Sequence, residues 1–157
     1  MEFRGGFLII VVMILSSIIA TFFFMEPQKI TEQITGSQLE SLIKLEYPKA
    51  YAIILDDHYN LTNSTVIKEI LKEDKTNLHS YINETFDCDD FAFTLWRNIR
   101  TKYGNIAVGV VRIKIGQDIG HILNFYVDKN LTIHLIEPQT DIIDPSYDIT
   151  DYTWFLI

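Results

Sequence analysis

Between Gly5 and Met25 the chain carries no charged residue, and Phe7–Phe24 is almost wholly Leu, Ile, Val, Met, Phe and Ala. A helical run of roughly 20 apolar residues is long enough to cross the hydrocarbon core of a bilayer. The pattern therefore predicts a short cytoplasmic N-terminus over 1–6, a transmembrane signal anchor over 7–25, a linker over 26–36 and one domain over 37–157. Arg4 precedes the run and Glu26 follows it, a bias that places the N-terminus inside and the domain outside the cell. The expected location is a single-pass membrane protein with an extracytoplasmic C-terminal domain. A cleaved signal peptide is the competing reading, since Ser17–Ala20 offers small residues for cleavage. Phe22–Phe24 carries the run past that point and favours the anchor.

With 157 residues there is room for one domain beyond the apolar run. Glu2 and Arg4 are the only charged residues before position 26, so the remainder keeps the full net charge of −8. An acidic surface repels phosphate backbones and argues against a nucleic-acid partner. The composition includes a single cysteine, Cys88, which cannot form an internal disulfide. It must be a buried thiol, an intermolecular bridge or a reactive nucleophile. Four Asn-x-Ser/Thr sequons, at Asn60, Asn63, Asn83 and Asn130, are expected glycosylation acceptors and fit an exported domain.

Periodicity divides the domain in two. Ser37 can cap a helix through Leu45, closed by Tyr47–Pro48, and Ser64 or Thr65 starts another with Val66, Ile67, Ile70 and Leu71 at helical spacing. A third helix opens with Asp87 as N-cap and Cys88 at its first position. Its apolar stripe is Phe91, Ala92, Leu95, Trp96 and Ile99, its last turns are basic, and Gly104 stops it. Beyond Gly104 the period becomes that of strands. Ile106–Ile115, His121–Val127 and Leu131–Ile136 are expected strands, the last two joined as a hairpin around Asp128–Asn130, with a final strand at Tyr152–Ile157. Helices followed by an antiparallel sheet predict an α+β domain.

A thiol on the first turn of a helix lies in the field of unpaired N–H groups, which favour the thiolate. A histidine within reach would take its proton, and a third group would fix the imidazole tautomer. His121 opens one strand and Glu137 ends its hairpin partner, so both fall at the same sheet edge. Asn124 is a rival third member, but three residues along a strand it faces away from His121. Gln139 can add a hydrogen bond at that edge.

Phe86–Asp87–Cys88–Asp89–Asp90–Phe91–Ala92, Gly120–His121 with Asn124–Phe125, and Ile136–Glu137–Pro138–Gln139–Thr140 together resemble the C-terminal domain of the Marasmius agglutinin family and its microbial relatives. The resemblance covers roughly residues 40–145. It implies a papain-like fold and a calcium-dependent cysteine peptidase, with Cys88 as nucleophile, His121 as general base and Glu137 as orienting acid. The sugar-binding trefoil of that fungal lectin has no counterpart in this chain. Enzymes of the papain type place a Gln shortly before the Cys to hold the oxyanion. Here Asn83, or the Tyr81 hydroxyl, would stand in for it beside the Cys88 N–H. Asp87, Asp89 and Asp90 read first as capping and dipole partners. A bound hard cation would relieve their repulsion of the thiolate, so Ca2+ is an expected cofactor, with Asp89 and Asp90 as candidate ligands. His58, His79 and His134 show no ligand spacing and read as surface or turn residues.

The expectation is thus a membrane-tethered papain-like cysteine hydrolase acting on a peptide or protein substrate. Its alternatives are a catalytically silent binding module of the same fold, and an amidase or transglutaminase-like acyl transferase.

Overall fold

A computed structural model describes residues 32–157 apart from residue 118. Its elements are β1 (Gln33–Thr35), α1 (Gly36–Glu46), β2 (Tyr51–Ile53), β3 (His58–Asn60), α2 (Ser64–Glu73), α3 (Cys88–Tyr103), β4 (Val108–Ile115), β5 (Ile119–Val127), β6 (Ile133–Glu137), β7 (Ile142–Ile143) and β8 (Ile149–Leu156). A short 3-10 turn at Thr76–Leu78 lies between α2 and α3.

Local chemistry explains the boundaries. Thr35 caps α1: its hydroxyl accepts from Gln38 N–H at 3.2 Å, while the Gln38 side chain accepts from Thr35 N–H at 2.9 Å. Asn63 caps α2 through its side-chain oxygen, which accepts from Val66 N–H at 3.0 Å. At α3, Asp90 reaches back to accept from Asp87 N–H at 3.1 Å. The helix ends at Gly104, whose φ of +74° suits a residue without Cβ. The β5–β6 turn is built by Asp128, whose Oδ1 accepts from both Asn130 N–H and Thr132 N–H at 2.8 Å.

The main sheet has six strands in the order β2-β8-β4-β5-β6-β7, and β1 pairs with β3 in a separate two-stranded ribbon. One core, containing Leu39, Ile43, Val111, Phe125 and Phe155, packs against the sheet. A second, containing Ile67, Leu71, Leu95, Ile99, Tyr126 and Ile136, joins α2 and α3 to the sheet. Gly109 has no room for a side chain, since a Cβ there would lie 2.3 Å from Leu156 O and 2.5 Å from the Phe125 ring.

The expected arrangement is corrected on two counts. Among the described residues there are eight strands to three helices, with three of the strands lying before α2, so β-structure dominates and is not confined to the second half. The main sheet is mixed rather than antiparallel, because β2 lies parallel to β8 while the other pairs are antiparallel. No described helix is long and apolar enough to cross a membrane, and the anchor expected over 7–25 lies outside the described residues.

Tyr59 is fully buried and ties the early strands to the end of the sheet. Its hydroxyl donates to Ile157 O at 2.9 Å and accepts from Leu55 N–H at 3.2 Å and Asp56 N–H at 2.8 Å. Removing the hydroxyl strands the Asp56 N–H in a place water reaches poorly, while Leu55 N–H and the Ile157 carbonyl keep their own hydrogen bond at 2.8 Å. Tyr59→Phe is expected to lower unfolding stability by about 2 kcal/mol, read from urea midpoints; an unchanged midpoint would refute this role.

Candidate functional site

Strand β5 is longer than its partner on one side. It pairs with β4 over Ile119–Tyr126, but with β6 only over Asn124–Val127. The first half of β5 is therefore an open edge, and the N-terminus of α3 meets it. Cys88, half-buried, accepts a hydrogen bond at sulfur from Ile122 N–H. His121, one residue earlier, reaches the end of β6. Its Nε2 lies 2.8 Å from Glu137 Oε2.

Glu137 is the most constrained group at this edge. It is 4% exposed, and it accepts from Tyr147 O–H at 2.6 Å and from Gln139 N–H at 3.1 Å as well as from His121. Burial alone would raise its pKa, but the hydrogen bonds from His121, Tyr147 and Gln139 outweigh it and hold the carboxyl below its ordinary value. Burial and the Glu137 charge push the Tyr147 phenol the other way, well above its usual range. An ionised carboxylate only accepts, so Nε2 of His121 carries the proton in this contact. Among the described residues Nδ1 has no hydrogen-bond partner. The Tyr147 ring packs edge-on against the imidazole, with centroids 5.4 Å apart.

A cleft of about 360 Å³ opens beside this group, lined by His121, Glu137, Gln139, Thr140, Ser146 and Tyr147 among others. Cys88 is not among its lining residues, and no hydrogen bond joins the sulfur to the imidazole in this structure.

The thiol is not in the state expected from the helix dipole. Burial pushes its pKa up, and Asp87 and Asp89 add to that; the N–H groups of Ile122 and Asp89 offset only part of it. Burial, with the neighbouring acids adding to it, thus outweighs the hydrogen bonds that favour the thiolate.

The remaining predicted residues divide. Gln139 is at the site through its backbone and lines the cleft. Tyr81 is 54% exposed; burial first, and then the charges of Asp87 and Cys88, push its phenol up, so it lies near the thiol. Asn83 is exposed in the turn before α3. Asn124 is fully buried, and its Nδ2 donates to Ala92 O at 2.9 Å and Gly109 O at 3.1 Å, away from the imidazole. Asn60 and Asn63 are engaged in hydrogen bonds to Gln33 and Val66, whereas Asn83 and Asn130 are exposed turn residues. The Tyr147 contact was not anticipated. Its residue sits in an aromatic, acidic segment with no motif to single it out.

Asp90 is used in the helix cap, while Asp87, Cys88 and Asp89 bring one ligand atom each within 4.8 Å of one another. Asp87 and Asp89 share a hydrogen bond, which raises Asp89 and lowers Asp87. Two carboxylates and a soft sulfur fall short of the six to eight oxygens that Ca2+ takes, so this donor set does not fit it.

No family model and no curated protein matches the chain. Ten solved chains are similar, two of them as follows. One is a PSL1a-E64 complex, at 21% identity and TM-score 0.68, covering 80% of this chain and 51% of that one. The other is Polyporus squamosus lectin bound to the human-type influenza-binding epitope Neu5Aca2-6Galb1-4GlcNAc, at 21% identity and TM-score 0.61, covering 77% of this chain and 49% of that one. The chain spans about half the length of each, and likeness at this identity carries the fold alone.

These findings correct the expectations drawn from the motif resemblance. The similar solved chains are those of a Polyporus squamosus lectin, and no family model supports the papain-like domain of the Marasmius agglutinin. With lectin chains as neighbours, the assignment as a papain-like cysteine peptidase does not stand. Its amidase and acyl-transferase variants fall with it, as does the peptide or protein substrate.

The lowered pKa of Glu137 has a sign that can be tested. A carboxyl depressed in the folded state contributes stability above its unfolded pKa of about 4.3 and loses it as pH falls through the folded value. Between about pH 6 and about pH 3, the native chain should therefore lose more stability than Glu137→Gln, as followed by urea midpoints. Equal losses would mean that the hydrogen bonds do not hold the carboxyl down.

Proposed function

We propose that this domain binds a glycan in the cleft beside His121 and Glu137. The observation that carries the reading is the fixed array of polar groups at that edge: a buried carboxylate oriented by three hydrogen bonds, next to the Gln139, Thr140 and Ser146 side chains. Sugar hydroxyls both donate and accept, and such a mixed, preorganised wall suits them, with the Tyr147 ring and Pro145 supplying apolar surface. The lectin bound to Neu5Aca2-6Galb1-4GlcNAc supports the ligand class, although this chain spans only half of it. Titration of the full-length chain with that trisaccharide should give saturable binding with a Kd on the order of 1 mM. Gln139→Ala and Tyr147→Phe should each weaken it several-fold. No saturable binding, or binding that both variants leave unchanged, would exclude this cleft as the glycan site.

A second reading is favoured by the proton position on His121. With Nε2 held by Glu137, Nδ1 is the nitrogen free to take a proton, and the Cys88 sulfur is bonded to the very next residue of the strand. In this reading Cys88, His121 and Glu137 form one thiol–imidazole–carboxylate centre that captures an electrophilic ligand. The imidazole takes the thiol proton, sulfur forms a bond to a strained ring carbon, the ring C–O bond breaks, and the oxygen recovers the proton. The similar PSL1a chain solved with E64 supports a ligand of this kind. Incubation with E64, an epoxide that alkylates thiolates, should add one adduct at Cys88 and none in Cys88→Ala. His121→Gln should slow it about tenfold or more. A rate indifferent to His121 would reduce Cys88 to an ordinary thiol.

A further inference from the structure

On the other side of segment 137–144 lies a second cleft, of about 430 Å³, lined by Ser64 and Lys68 of α2, Tyr126 of β5, His134 of β6, and Asp141 and Asp144. Tyr126 is fully buried, yet its hydroxyl has no hydrogen-bond partner among the described residues. A buried hydroxyl left without a partner is destabilising, so the position calls for one. The ring is fixed rather than loose. It stacks on His134 with centroids 4.8 Å apart and planes at 16°.

His134 offers nothing to an anion. Its Nδ1 is 2.8 Å from Asp144 Oδ2, and its Nε2 lies 3.5 Å from Asp128 Oδ2. Asp141 has the opposite character. Its backbone is fixed, with φ at +59° and its N–H donating to Glu137 O at 2.9 Å, but its carboxylate accepts no hydrogen bond among the described residues. Burial, and then the charge of Asp74, push that carboxyl up to about 6, the mark of a desolvated acid lacking a donor. Lys68 is the one cation lining the cleft, against Asp141 and Asp144, with Asp128 behind His134.

We propose that this cleft binds a small organic ammonium ion, with Asp141 and the Tyr126 oxygen accepting its N–H groups. An ammonium is a donor only, and the cleft offers it an unpartnered carboxylate and a phenol oxygen that can accept as well as donate, in a pocket of net negative charge. An anion would meet Asp141 and Asp144 as well as Lys68, with Lys75 acting on Asp141 from nearby. The volume accommodates an alkyl diamine, whose second charge can remain in solvent. The site is separate from the glycan cleft, and its fate does not depend on that reading.

The probe is putrescine, titrated into the isotopically labelled full-length chain at low salt and followed by amide resonances. Saturable shifts at Tyr126, His134 and Asp141, with a Kd near about 1 mM, are expected. Asp141→Asn should weaken binding about tenfold or more, the scale of a lost charge-assisted hydrogen bond. Asn tolerates positive φ better than most residues, so this variant keeps the loop. Tyr126→Phe should weaken binding several-fold while leaving the fold intact, because it deletes a hydroxyl that has no protein partner. Tetramethylammonium, which has no N–H, should bind far more weakly, and glucose and phosphate should not bind. Absence of saturable shifts overturns the proposal. So does equal binding by tetramethylammonium or glucose, or an Asp141→Asn chain that binds as the native one does.

Discussion

Asn124 sets the relation between the helix that carries the thiol and the strand that carries the imidazole. It is a polar side chain in the middle of the core, and its amide spans from Gly109 of β4 to the Ala92 carbonyl of α3. Two buried donors satisfied by two carbonyls define a distance and an angle that hydrophobic contact alone leaves free. Because α3 is clamped at Ala92, its first turn must fall against the open half of β5, and the Cys88 sulfur meets Ile122 N–H. The absence of a side chain at Gly109 is part of the same arrangement, since it lets Phe125 and the Leu156 backbone close over that point. The edge with its imidazole and carboxylate is thus a product of core packing several residues away.

Electrostatics at the edge pull in two directions. The end of β6 is arranged to keep a carboxylate charged, with three donors converging on Glu137 despite its burial. The start of α3 disfavours a thiolate, first because the sulfur is partly buried and then because the acids that suit a helix N-terminus also repel its charge. The same aspartates therefore support the helix and suppress the reactivity that its dipole would otherwise promote.

Much of the local structure could be read from residue order. The Asp87 cap, the stop at Gly104 and the Asp128 turn all act within three or four residues of themselves, which is the range that sequence patterns report. By contrast, α1 is capped by Thr35 rather than the expected Ser37, and α2, though it starts at Ser64, is capped by Asn63. The meeting of His121 with Glu137 was legible for a related reason, since one hairpin joins them and its ends coincide. The parallel pairing of β2 with β8 was not, because a three-residue strand carries almost no periodic signal and its partner lies far along the chain. Tyr147 was missed on similar grounds: its position on Glu137 depends on a fold-back through Pro145 that no motif marks. His134, read as a surface residue, instead stacks on the buried Tyr126 between two carboxylates, a setting created only when β5, β6 and the Asp144 turn come together.

Strand β8 occupies the place between β2 and β4, and the Tyr59 hydroxyl reaches a carbonyl 98 residues further on. The three central strands β4, β5 and β6 can zip locally, each to its neighbour in sequence. Completing the sheet is another kind of event, because the entropy of closing so long a loop must be met before β2 and β8 gain anything from pairing. The time this domain takes to fold is therefore governed by the search between its two ends, and until that search succeeds the flank of β4 stays exposed to whatever other strand the chain encounters.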